Sequence, residues 1–168
     1  MKELLEKLNA CEKAREWAEG KSWEEVYATC HRGDWLLWLF QKTNSEDIQL
    51  LTLAKGHCAN TVRHLMTDER SLKSVDAAIA FGEGKISRED LDAAAYAAYA
   101  AFSAAWDADY AAWATAASAS NAAAAASYVA APAYAAAIAY YSSYEENQKL
   151  TAYICRKYLP IEVWNINL

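Results

Sequence analysis

The sequence predicts an all-α fold, a single-domain multi-helix bundle in which two long alanine-rich helices pack against shorter N-terminal helices. Three observations predict it. Aromatic residues recur in the alanine tract at Tyr96, Tyr99, Phe102, Trp106, Tyr110 and Trp113, then at Tyr134, Tyr141 and Tyr144 with Ile138 between them. Steps of three and four put residues on one face of a helix. Alanine has the best intrinsic helix propensity, because it loses no side-chain entropy. Breakers are few, five Gly and two Pro in 168 residues. A chain of that length can bury a core as one domain, divided into a Trp-rich front (1–84), the alanine/aromatic helices (85–144) and a closing helix with a docked tail (145–168).

Taken in order, 2–19 reads as one helix or two short ones, with Leu4, Leu5, Leu8, Cys11, Ala14, Trp17 and Ala18 on the apolar face and Gly20 at its end. Ser22-Trp23-Glu24-Glu25 is a capping box that opens a short helix. In His31-Arg32-Gly33-Asp34-Trp35, Gly33 suits a left-handed helix end and Asp34 suits the cap of the next helix, 35–42. That helix is apolar nearly all round, Trp35-Leu36-Leu37-Trp38-Leu39-Phe40, and so belongs at the centre. A helix over 47–65 follows, then a turn at 68–71 and a helix over 72–81 stopped by Gly82-Glu83-Gly84. Ser87-Arg88-Glu89-Asp90 is a second capping signature. It launches the first long helix, 88–117, about 45 Å if unbroken. Ser118 to Asn121 offers a turn, and Pro132 kinks or starts the second long helix. A final amphipathic helix over 145–158 is closed by Pro160, and the apolar tail with Trp164 is expected to dock. In the alanine helices the rings are expected to face inward and supply most of the burial.

The formal net charge of −6 disfavours duplex nucleic acid and anionic lipid and suits a basic partner. The stretch 110–144 has no charged residue, yet it is mostly alanine with interspersed serine, so inserting it into a bilayer would gain little. A charged start, Met1-Lys2-Glu3-Leu4-Leu5-Glu6-Lys7, with four cysteines outside any CxxC pair, predicts a cytoplasmic protein with reduced thiols.

No phosphate loop, Rossmann glycine pattern or Ser-His-Asp set is present, and no catalytic residue or cofactor is assigned. Cys30, His31, His57, Cys58 and His64 lack zinc spacing; they read as core thiols and surface imidazoles rather than a metal site or a Cys–His nucleophile. His57 and His64, seven apart, fall on one face of one predicted helix. Asp92, Asp107 and Asp109 are carboxylates within the alanine tract that face solvent or form an acidic patch. Seven Trp and eleven Tyr exceed ordinary usage, and both types fill cores and dominate interfaces. Trp23, beside its cap, is expected to be the outward-facing one.

The run Leu5-Glu6-Lys7-Leu8-Asn9-Ala10-Cys11, then Trp17, Trp23-Glu24-Glu25, Cys30-His31-Arg32-Gly33-Asp34-Trp35, an alanine tract and Cys155-Arg156-Lys157-Tyr158-Leu159-Pro160 resembles a family of small all-helical bacterial immunity proteins of polymorphic toxin systems. The resemblance implies binding without catalysis: sequestration of a toxin or effector by occluding its surface. On that reading Trp23, Asp34, Trp35, Asp107 and Asp109 are the partner-binding candidates. The alternative is a phage or host module that holds a nucleotide-like ligand in a ring-lined cavity, with Arg32, Arg63 or Arg88 pairing its charge. Alanine-lined faces can also pair two copies into a homodimer.

Overall fold

The computed structural model describes residues 1–66, 68–105 and 144–166. Among these the chain is all helical, with no strand. The α-helices are α1 (Lys2–Lys7), α2 (Glu12–Trp17), α3 (Trp23–Thr29), α4 (Gly33–Thr43), α5 (Ile48–Asn60), α6 (Glu69–Gly82), α7 (Arg88–Ala105) and α8 (Tyr144–Tyr158). Short 3₁₀ turns follow at Arg63–Leu65 and Ile161–Val163. The second alanine helix, the rings from Trp106 to Tyr141, and Asp107 and Asp109 all lie outside the described residues.

Local chemistry explains the boundaries. Asn9 breaks the first apolar run: it takes a left-handed φ of 58°, and the Ala10 N–H returns to the Leu5 carbonyl at 2.9 Å. Asn tolerates that conformation better than most residues. Both halves of the Ser22–Glu25 capping box form. The Ser87–Asp90 box forms too, with each backbone N–H donating to the other's side chain at 3.2 Å. Residues 68–71, expected as a turn, instead start α6, because the Asp68 carboxylate accepts the Arg70 N–H at 2.8 Å and caps the helix early.

The core sits where α8 crosses α4 and α5. Leu36, Leu37, Leu39 and Phe40 of α4 are buried with Leu51, Ala54 and Cys58 of α5 and with Ala152, Cys155 and Leu159 of α8. Each large apolar side chain there contributes about 1.5–3 kcal/mol through burial. Gly33 makes the crossing possible. It is not the left-handed end of α3, which closes at Cys30; it is the first residue of α4, and a Cβ placed on it would stand 2.6 Å from the Thr151 Cβ. Missing bulk, not conformational freedom, is the reason for glycine here. Three thiols gather at the same crossing. Cys155 donates to the Gly33 carbonyl at 3.5 Å, Cys58 to that of Thr151 at 3.8 Å, and Cys30 to that of Arg32 at 3.5 Å.

The tail docks as the sequence predicts. Trp164 stands 4.9 Å from both the Trp23 and the Phe40 ring, and its indole N–H donates to the Leu159 carbonyl at 2.9 Å. Asn44 fixes the same segment, donating to the Val163 carbonyl at 2.6 Å and accepting from the Asn165 N–H at 3.2 Å. Trp23 is therefore not the outward-facing tryptophan. It is only 6% exposed, because Trp164 and Tyr27 cover it. The ends of α3 and α8 also serve each other. Arg156 donates to the Cys30 carbonyl at 2.8 Å, and the Tyr27 hydroxyl lies 3.1 Å from the carbonyls of Arg156 and Leu159. These bonds satisfy helix-end carbonyls that have no intrahelical partner.

Away from this core, α5 packs on α6 and α6 on α7. The α7 face turned inward is Leu91, Ala95 and Ala98, set against Ala78 and Phe81 of α6. Tyr96 is 75% exposed, contrary to an inward ring stripe at that position. At this helix pair the methyl face, which permits close approach, is buried, and the ring lies outside it.

Two outcomes follow from the packing. Gly33→Ala lowers stability by about 1–3 kcal/mol, as overpacking does, read from the urea midpoint. Lys55, buried on α5 with its ammonium 3.3 Å from Gln41 Oε1, is pulled down by burial to about 8. An unfolded lysine titrates near 10.4, about two and a half units higher. Between those pH values the unfolded chain holds a proton that the folded chain has released, so stability rises with pH across that window. Lys55→Met abolishes this rise and is the more stable protein at pH 7, by up to about 3 kcal/mol. Cys30, pushed up by burial to about 11, acts in the opposite sense above about 9. It is common to both proteins and cancels in their difference, measured by urea unfolding at pH 7 and pH 10.

Candidate functional site

The block from His31 to Trp35 joins α3 to α4 and brings together three of the residues singled out from the sequence. Arg32 holds Asp34 through two contacts, Nε to Oδ1 at 2.8 Å and Nη2 to Oδ2 at 2.5 Å. Both side chains are largely but not fully covered. Asp34 does not cap α4: Arg32 occupies the cap position, and no side chain bonds the helix end there. The carboxylate lies in the first helical turn, where negative charge is favoured by the helix dipole, and it fixes the guanidinium instead. That guanidinium lies over the Trp35 ring, 4.7 Å from its centre. Trp35 in turn tilts against Trp17 of α2 at 6.1 Å, and Trp17 meets the His31 ring edge-on at 6.3 Å and the Lys21 ammonium at 4.5 Å. The result is a half-exposed patch of two indoles and paired charges.

Beneath the patch is a cavity of about 380 Å³ between the α1–α2 hairpin and α4. Its wall is mainly apolar, with Ala10, Ala14 and Ala18 leaving the room and Trp17, Trp35 and Trp38 bounding it. Small side chains on one helix facing large rings on another leave such a space wherever the rings do not fold back. Cys30 and Asp34 also line it. Burial keeps the Cys30 thiol protonated at neutral pH, so it presents neither charge nor a nucleophile to an occupant.

The other candidates lie elsewhere. Arg63 pairs with Asp76 of α6 at 2.5 and 2.9 Å, and Arg88 with Asp92 one turn along α7 at 3.2 Å; neither lines the cavity. Trp23 belongs to the core around Trp164. The Cys/His set is dispersed. Cys30 and Cys58 turn into the core with Cys155, whose thiol burial pushes far up. His57 stacks on Tyr158 at 3.9 Å, and burial, with Lys157 adding to it, lowers its tendency to protonate. His64 is not on the His57 helix at all, since α5 ends at Asn60. No group of three or more His, Cys, Asp or Glu among the described residues could hold a metal ion.

Compared with known protein families, curated proteins and solved structures, the chain matches none. Nor is any helix among the described residues long and apolar enough to cross a membrane.

Sequence reading found Arg32, Asp34 and Trp35 but missed Trp17 as their partner, since α2 approaches α4 only in three dimensions. The sequence could suggest a ring-lined cavity but not place it, for the same reason. Thiol burial gives a direct check. With an aromatic disulfide reagent at pH 8, the native protein yields one fast thiol, Cys11, and the buried Cys30, Cys58 and Cys155 react only on unfolding. Rapid reaction of two or more thiols in the native state contradicts the packing at the α4–α8 crossing.

Proposed function

We propose that the chain is a non-catalytic binding protein of the immunity type, which sequesters a partner toxin or effector in the cytoplasm by covering its surface. The observation that carries this reading is the cavity of about 380 Å³ rimmed by half-exposed Trp17, Trp35 and Trp38 beside the Arg32–Asp34 pair. Trp and Arg dominate the energetics of protein interfaces when they surround a pocket that a partner's side chain can fill and dry. Here one apolar or aromatic anchor from the partner would enter between the α1–α2 hairpin and α4. The ion pair would orient it. Holding Arg32 and Trp35 in place beforehand limits the entropy lost on association.

The resemblance of the Cys30-to-Trp35 block to immunity proteins supports the same reading. So does the net charge of −6, which would speed encounter with a basic partner. Asp107 and Asp109, outside the described residues, remain candidates for that longer-range attraction.

The test is co-expression with the product of the neighbouring gene, which the proposal expects to be a toxin. The wild-type chain restores growth and co-purifies with the toxin. Trp35→Ala, shown folded by its far-UV dichroism and melting curve, weakens the complex by about 2 kcal/mol or more, roughly thirtyfold. No complex and no rescue, or full affinity in Trp35→Ala, contradicts the proposal.

A further inference from the structure

Trp17 and Trp35 also line a second, more open groove of about 750 Å³. It runs between α2, the α3–α4 turn and the start of α8. Its chemistry differs from that of the cavity. Lys13 of α2, Lys149 of α8 and His31 and Arg32 of the α3–α4 turn all line it, and Glu16 is the acidic residue in the lining. In a chain of net charge −6 this is a local excess of positive charge. Neither lysine forms an ion pair among the described residues, whereas Arg32, Arg63, Arg70 and Arg88 all do.

A second observation points independently to an occupant. Gln148, also in the lining, is only 4% exposed, and its amide nitrogen has no hydrogen-bond partner. An unpaired buried donor costs about 1–3 kcal/mol, so folded chains rarely keep one without a use. The groove thus combines ammonium groups and the Trp17 and Trp35 rings, with an unsatisfied N–H donor covered just beneath its lining.

We infer that this groove binds a small molecule with a planar ring and a phosphate or carboxylate group, of about nucleotide size. The ring would lie against the indoles, the anion would sit by Lys13 and Lys149, and a turn of the Gln148 side chain would bring its covered N–H to an acceptor atom of the ligand. The volume suits such a ligand, since small-molecule sites are typically about 300–1,000 Å³. Aromatic faces take any planar base or aryl ring. A long polyanion is disfavoured by the overall negative charge, which leaves a small anion as the fitting occupant. This inference does not depend on the protein-partner reading: the two share Trp17, Trp35 and Arg32, but Lys13, Lys149 and Gln148 line the groove alone and Trp38 the cavity alone, so either can fail alone.

The test uses the full chain and four probes, adenosine 5′-monophosphate, 2-naphthoate, adenosine and inorganic phosphate, followed by tryptophan fluorescence and calorimetry. The nucleotide, the naphthoate or both are expected to bind saturably and quench fluorescence. Adenosine, which lacks the anion, and phosphate, which lacks the ring, should bind at least about tenfold more weakly, given the modest worth of each contact. Which ring-bearing anion binds more tightly identifies the headgroup. Lys13→Glu with Lys149→Glu should lower affinity about tenfold or more, and Glu16→Gln should raise it. Gln148→Leu should weaken binding while leaving the melting temperature of the free protein unchanged or higher, since it removes an unpaired buried donor. A purely structural Gln148 would instead lower that temperature. No saturable binding at millimolar probe, equal binding of phosphate and nucleotide, or unchanged affinity after reversal of both lysines would each overturn the inference.

Discussion

The contact on which the rest depends is the crossing of α4 and α8 at Gly33 and Thr151. Here a chain segment that follows the whole alanine tract returns to the front of the molecule and lies against a helix that starts without a side chain. Because Gly33 has no Cβ, the helices meet closely enough for the Cys155 thiol to reach its carbonyl. The same closeness lets Arg156 and Tyr27 exchange bonds across the ends of α3 and α8. Trp164 then closes the bottom of the core on Phe40 and Trp23. Moving α8 outward by the width of one methyl group would strain all of these contacts together, because packed interiors do not deform smoothly.

The site inherits its geometry from that crossing. Gly33 lies between Arg32 and Asp34, so anchoring Gly33 fixes the ion pair and, through the guanidinium, the Trp35 ring. α8 also carries Gln148 and Lys149 to the groove edge one turn before Thr151. One crossing thus positions both the apolar cavity and the cationic groove, which share the two indoles. The thiols there are packing groups: buried and bonded to carbonyls, they behave as small hydrophobes with a weak donor.

Much of the architecture was legible in the sequence. Helix starts encoded in four consecutive residues, at Ser22 and Ser87, appear as read, because a cap is satisfied within its own turn. The apolar run of α4 marked it as central, and Trp164 marked the tail as docked. What was not legible depended on partners far along the chain. Trp23 is buried by Trp164, and nothing near Trp23 announces that. A glycine looks the same whether a left-handed turn or a neighbouring helix requires it, and Thr151 decides the case for Gly33. Tyr96 shows a different limit. Periodicity identifies residues that share a face, but on an alanine helix both the ring face and the methyl face are apolar, and the pattern alone does not say which one the neighbour covers. The site was half legible: Arg32, Asp34 and Trp35 are adjacent in sequence, whereas Trp17, Lys149 and Gln148 join them only through packing.

Native-state hydrogen exchange measures the central claim most directly, since it reports the free energy at which each helix opens. If the Gly33–Thr151 crossing holds the molecule together, the amides of Leu36 to Phe40 in α4 and of Ala152 to Leu159 in α8 exchange only through global unfolding. They would then share one opening free energy and one denaturant dependence. Exchange of the α8 amides at a markedly lower free energy, with α4 still protected, would mean that the C-terminal helix is an accessory to a core that stands without it, and the account would fail.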